Sequence, residues 1–156
     1  MKGKGNDGTG NTLDRDEWKT NQELFDLLDK QYYFFIDCCA NGDNAKIYRY
    51  FDDFLTVDFI HDNIVCWINP PFSKAYEMFE HFFKVTSQGV AIYRCDNMET
   101  KVWQEVILKN ATWIFIPKGR INYEGMKGTG SRFPSALIGF NVKPPKNLKG
   151  VCLNAK

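Results

Sequence analysis

The chain has 156 residues, of which 44% are hydrophobic and 25% charged, and its net charge is +1. That length fits one domain with a real core, and the composition is ordinary for a globular protein. The five cysteines form no Cys-x-x-Cys pair and only His61 and His81 stand beside them, so the sequence argues against a zinc site, while no apolar run approaches the roughly 20 residues of a membrane span.

In chain order, residues 1–11 are rich in Gly, Asn and Lys and read as a disordered tail ahead of a single domain over 12–143. Thr20-Asn21-Gln22-Glu23 reads as a capping box, opening a helix that buries Leu24, Leu27 and Leu28. Tyr33 to Cys38 is the first strong strand and Ile64 to Ile68 the second. Between them, from Asp37 to Asn69, lie only 32 positions, too few for two further strand–helix units, so the sheet is abbreviated; Lys46 to Tyr50 is a candidate short strand. Ser73 to Thr86 is a helix with Ala75, Phe79, Phe82 and Phe83 on one face. Val90 to Arg94 is a strand, and Glu99 to Lys109 a helix with Val102, Trp103, Val106 and Ile107 inward. Ala111 to Ile116 and Ala136 to Val142 are further strands, before a basic tail over 144–156. Strands alternating with helices predict an α/β fold with a mostly parallel sheet covered on both faces. Cys38, Cys39, Cys66 and Cys95 lie in or beside apolar strands and read as reduced residues of a cytoplasmic protein.

The most informative stretch is Ile64-Val65-Cys66-Trp67-Ile68-Asn69-Pro70-Pro71-Phe72. The apolar run is a buried strand, and the prolines end it because they cannot donate to a sheet ladder. Asn69 precedes a proline and is biased to extended geometry. The turn therefore holds an amide, two carbonyls and an aromatic ring at a strand's C-terminal end, the edge where open α/β sheets bind ligands. This suits methylation of an exocyclic amine, whose lone pair is delocalised into its ring. The Asn69 side-chain oxygen and the Pro70 carbonyl can grip the two N–H groups and turn the lone pair toward an electrophilic methyl, with no strong base. Phe72 can stack on the target base; such stacking is worth roughly 1–3 kcal/mol, against a few kcal/mol for flipping a base from a duplex. The plainer alternative is a Pro-Pro turn in which Ser73 caps the next helix.

Asn69-Pro70-Pro71-Phe72 resembles the catalytic motif of amino-group methyltransferases that use S-adenosylmethionine. The surrounding chain is similar to the small phage-type DNA N-6-adenine methyltransferases. The likeness is carried by Trp18-Lys19-Thr20, Phe35 to Ala40, Asn44-Ala45-Lys46, Asp53-Phe54-Leu55, Asn69 to Phe72 and Gly119-Arg120-Ile121. It implies an abbreviated Rossmann-like methyltransferase fold, with Asn69, Pro70, Pro71 and Phe72 at the reaction centre. It implies S-adenosylmethionine as cofactor, held by Trp18, Thr20, Asp37, Cys39, Ala40, Asn44 and Asp53, and a phage or prophage protein acting in a bacterial cytoplasm. Two departures stand out: the usual Gly-x-Gly of the cofactor loop is absent, and Asn21 stands where the family has Pro in Trp-x-Thr-Pro. The second is mild, because Pro in a helix's first turn is favourable but not required.

From Lys118 to Lys156 there are eight basic residues and the single acid Glu124, so this quarter carries +7 and the remainder −6. Such asymmetry suits a phosphate-backbone partner, and Lys118, Arg120, Lys127 and Arg132 are the candidate contacts to double-stranded DNA with a flipped base. No large recognition domain fits, so a homodimer partner is one source of sequence specificity. Two rival readings remain open at the level of sequence. The first keeps the fold and changes the acceptor to a cytosine amine, an RNA adenine or a glutamine; the second is a silent nucleic-acid-binding relic or a partner-dependent subunit.

Overall fold

The protein is described here by a computed structural model covering residues 4–6, 12–14, 19–123 and 133–154. Two short strands, β1 (Lys4–Asn6) and β2 (Thr12–Asp14), pair antiparallel within and beside the stretch expected to be a tail. The main body is a six-stranded sheet built from β3 (Ile36–Asp37), β4 (Val65–Ile68), β5 (Gln88–Arg94), β6 (Trp113–Pro117), β7 (Ser135–Phe140) and β8 (Gly150–Asn154). Its order is β3-β4-β5-β7-β6-β8.

The sheet is mixed, which corrects the expectation of a mostly parallel one. β3, β4 and β5 run parallel, whereas β7 pairs antiparallel with both β5 and β6, and β8 pairs antiparallel with β6. Among the described residues of the last quarter no helix lies between β6, β7 and β8, and β7 and β8 each run antiparallel to β6. The segment read as a basic tail supplies the edge strand β8, through Val151-Cys152-Leu153 in register with Phe115 and its neighbours. Because β6 lies antiparallel to β7, it points the same way as β3, β4 and β5. The C-terminal ends of these four strands therefore share one edge.

Helix α1 (Gln22–Tyr32) covers one face, and α2 (Ala75–Val85) and the α3 segment cover the other; α3 is π-helical over Val102–Ile107 and α-helical over Leu108–Asn110. Alternation along the strands divides the core. Cys66, Ile68, Ala91 and Tyr93 meet Phe79, Phe82, Trp103 and Ile107, while Trp67, Val90 and Ile92 meet Phe25, Leu28 and Tyr32. All four expected inward residues of α3 are buried. In α1 the buried stripe is Phe25, Leu28 and Tyr32, with Leu24 and Leu27 only half-buried. Phe25 draws the helix round, its ring 5.4 Å from Trp67 and 5.6 Å from Phe34. The helix cap is Asn21, whose side-chain oxygen accepts from the Leu24 N–H, and not Thr20. The helix also runs further than the sequence suggested: Tyr33 is its left-handed C-cap, at φ 53°, so the first strand starts later.

The 32-position interval contains a single 3-10 turn, Phe54–Thr56, and one isolated parallel bridge from Tyr50 to Asp37. Backbone bonds from Asp37 N–H to the Arg49 carbonyl and from Phe51 N–H to the Asp37 carbonyl, both 3.0 Å, fix this strip beside β3. Among the described residues no helix is long and apolar enough to cross a membrane.

Gly139 on β7 lies under the Trp113 indole, whose N–H donates to the Val142 carbonyl at 2.7 Å; a Cβ at position 139 would fall on that ring. We expect Gly139→Ala to cost about 1–3 kcal/mol, because the anchored indole must move. The check is the urea unfolding midpoint, and an unchanged midpoint would show that the indole yields freely.

Candidate active site

Asn69 to Pro71 carry the chain out of β4, Pro71 extended at ψ 136°, and Phe72 opens a 3-10 turn over Phe72–Lys74. One strand away, β3 ends at Asp37 and turns through Cys39, Ala40 and Asn41. These two strand ends face each other across a cleft lined by Lys19, Thr20, Asp37, Cys39, Ala40, Asn41, Asn44, Lys46, Asp52, Trp67, Asn69 and Pro71. The cleft thus gathers five of the expected cofactor residues, Thr20, Asp37, Cys39, Ala40 and Asn44, together with Asn69 and Pro71 of the turn. Its enclosed part measures about 190 Å³. That is less than the ~300–1,000 Å³ of a pocket that swallows a whole small ligand, so it suits one end of a longer molecule.

Asp37 is the chemical centre of this cleft. It is 3% exposed, and its two carboxyl oxygens accept from the backbone N–H groups of Cys39 at 3.3 Å and Lys46 at 3.1 Å. Burial pushes the carboxyl up to about 6, against the opposing pull of those two N–H groups and the Lys46 charge. A buried acid held this way is stabilised by any cation brought beside it. Around it the loop is self-braced: the Asn41 side chain accepts from the N–H groups of Asp43 and Asn44, and the Asn44 side chain accepts from the Asn41 N–H. Small residues at 39 and 40 let a ligand approach the backbone closely. Lys19 closes one side by donating to the Asp43 carbonyl at 3.1 Å, and Lys46 another by donating to the Gln22 side chain at 2.9 Å.

Asn69 donates from its amide nitrogen to the Thr20 hydroxyl at 3.1 Å, and Thr20 is 1% exposed. Pro70 joins Asn69 to Pro71 within the turn. Phe72 does not line the cleft. Its ring packs edge-on against Tyr93 at 5.6 Å and Phe133 at 5.5 Å, with the Arg94 guanidinium 5.7 Å from its centre. It forms a wall of a neighbouring open hollow with Tyr93, Asn97 and Thr100.

Asp53 also falls outside the cleft. It is exposed, at the cap of the 3-10 turn, where its carbonyl accepts from Thr56; the acid in the lining is its neighbour Asp52. The signal for Asp52 was its place just after Lys46 to Tyr50, the candidate short strand, of which the structure forms one parallel bridge from Tyr50 to Asp37. Asn41 was the other lining residue missed, although Asn-Gly after a strand marks a turn. Trp18, Lys127 and Arg132 lie outside the described residues. Lys118 and Arg120 are exposed just after β6, on the edge that carries the cleft, and Gly119 between them turns the chain at φ 85°. The Arg94–Asp96 ion pair, at 2.6 Å, sits at the same edge, and Arg120 adds to the positive field that holds Asp96 below the usual carboxylate range.

A family model for DNA N-6-adenine-methyltransferase (Dam) matches residues 8–137. The chain belongs to that family. No curated protein matches it. The matched span contains both strand ends of the cleft, the segment that carries Thr20, and the basic residues Lys118 to Arg132. Methyltransferases of the Dam family draw their methyl group from S-adenosylmethionine, and the donor set fits the amino-acid end of that cofactor. The buried Asp37 carboxyl is only partly offset by two backbone N–H groups and the Lys46 charge, and the cofactor's ammonium would stabilise its ionised form further. Among the described residues there is no cluster of three or more His, Cys, Asp or Glu able to hold a metal.

The raised Asp37 carboxyl gives a sign for pH. An ammonium is held by the ionised acid, so affinity is full above about 6 and falls as pH drops through it. We expect S-adenosylhomocysteine to bind about tenfold more weakly at pH 5 than at pH 7.5, with the dependence lost in Asp37→Asn. Calorimetric titration at the two pH values checks this, and equal affinities would remove Asp37 from the ammonium.

Proposed function

We propose that the protein transfers a methyl group from S-adenosylmethionine to the N6 amine of adenine in DNA. The observation that carries this reading is the meeting of two strand ends, one bearing the buried acid Asp37 and the other the Asn69-Pro70-Pro71 turn, in a single cleft. Asp37, Cys39, Ala40 and Asn44 hold the cofactor, which supplies an electrophilic methyl. Asn69 Oδ1 and the Pro70 carbonyl accept the two N–H protons of the adenine amine and orient its nitrogen. Pro70 and Pro71 keep these acceptors rigid, so little reorganisation is needed during transfer. Phe72, its ring already braced by Tyr93 and Phe133, backs the flipped base. The basic residues Lys118 and Arg120, on the same edge, contact the phosphates, and Lys127 and Arg132 are further candidate contacts from the sequence. The retained Asn69 to Phe72 turn favours an active enzyme over a silent relic, and the basic edge favours nucleic acid over a glutamine acceptor.

In this account Asn69→Ala loses at least a hundredfold in methyl transfer, the scale seen when one preorganised transition-state contact is removed, while cofactor affinity stays within about threefold. Tritium transfer to DNA and calorimetry measure the two quantities; full activity in the variant would overturn the assigned chemistry. Lys127→Glu combined with Arg132→Glu should weaken DNA binding and reduce the slope of log affinity against log salt by about 2. An unchanged slope takes these two residues out of the interface.

A further inference from the structure

We propose that Thr20 is a positioning residue for the acceptor amide of Asn69, an inference that rests on the methyl-transfer reading. The two residues are 49 positions apart, yet Asn69 Nδ2 donates to Thr20 Oγ1 at 3.1 Å, and both line the cleft. Thr20 is 1% exposed, and the helix cap that might have explained a threonine here is provided by Asn21 instead. Its hydroxyl is therefore not spent on the start of α1.

The consequence follows from the shape of an amide. One end carries two donors and the other an acceptor, about 120° apart on the same carbon. With the NH2 end on Thr20, Oδ1 is turned away from Thr20 and presents an acceptor. A half-turn about the last torsion would present the NH2 group there, a donor facing the donor N–H of the substrate amine. A threonine hydroxyl accepts from the NH2 end as readily as it donates to an amide oxygen, so what the bond fixes is the plane and reach of the amide, with the NH2 end on Thr20 in this structure. Thr20 is itself held in place, because Asn21 caps α1 on one side and Lys19 is tied to the Asp43 carbonyl on the other. The segment before the first helix thus holds the amide of the reaction centre on β4 in place.

The test compares Thr20→Val, which keeps the shape and removes the hydroxyl, with Thr20→Ser, which restores it. The expected result is a 3- to 10-fold fall in kcat for Thr20→Val, an S-adenosylhomocysteine affinity within about twofold of the parent, and recovery in Thr20→Ser. Unchanged kcat, or weakened cofactor affinity with kcat intact, overturns the inference; the latter makes Thr20 a cofactor ligand. A readout independent of turnover is solvent exchange of the Asn69 side-chain NH2 protons in the parent protein, followed by nitrogen-15 NMR and assigned by their absence in Asn69→Ala. One protected proton supports the Thr20 bond, and fast exchange of both contradicts it, even if Thr20→Val does not fold. A parent protein that methylates no adenine while the protected proton is present would separate failure of the functional reading from failure of this one.

Discussion

Everything at the candidate site depends on β4 stopping where it does. Pro70 and Pro71 carry no backbone N–H, so the ladders of β4 stop, at Trp67 against β3 and at Ile68 against β5. Asn69 is left extended at the sheet's edge, one strand from Asp37. The neighbouring strand is shorter still, with ladder pairing confined to Ile36 and Asp37. Both chains therefore leave the sheet at the same level, and the space between their departures is the cleft. Longer strands in either place would have filled it with backbone.

The second constraint is electrostatic. A carboxyl that is 3% exposed costs free energy when ionised, and two backbone N–H groups only partly offset that cost. The rest of the fold offsets that cost with a large aromatic core, in which Trp67, Trp103 and Trp113 are fully buried. The same burial that raises the carboxyl to about 6 makes it a strong counter-ion for a ligand ammonium. A group that is poorly placed for stability is thus well placed for recognition. The edge carrying this acid also carries Lys118 and Arg120, so one rim of the sheet presents a cation-seeking pocket beside residues suited to phosphates.

Much of this was legible in the sequence because it is written in local rules. The proline pair announces a strand end, the apolar runs announce buried strands, and the apolar residues Val102, Trp103, Val106 and Ile107 give the inward face of α3 correctly, although the segment is π-helical there. What escaped was set at a distance. The antiparallel placement of β7 and the docking of β8 on β6 depend on which edges remain open after the parallel strands assemble, and no local pattern records that. The rotation of α1 toward Phe25 comes from the Phe34 and Trp67 rings, on other elements. At the site, Asp52 and Asp53 are adjacent acids with the same local signal; only the bridge from Tyr50 to Asp37 decides which one faces the cleft. The bond between Thr20 and Asn69 spans 49 positions and has no sequence signature.

The central claim is that the amine gripped by the Asn69-Pro70 turn is the N6 amine of adenine. The most direct measurement incubates the protein with S-adenosylmethionine and double-stranded DNA, digests the DNA to nucleosides and identifies methylated species by mass spectrometry. The account predicts N6-methyldeoxyadenosine, absent when cofactor is omitted. N4-methyldeoxycytidine as the product, or no methylated nucleoside from a protein that binds the cofactor and DNA, would contradict it.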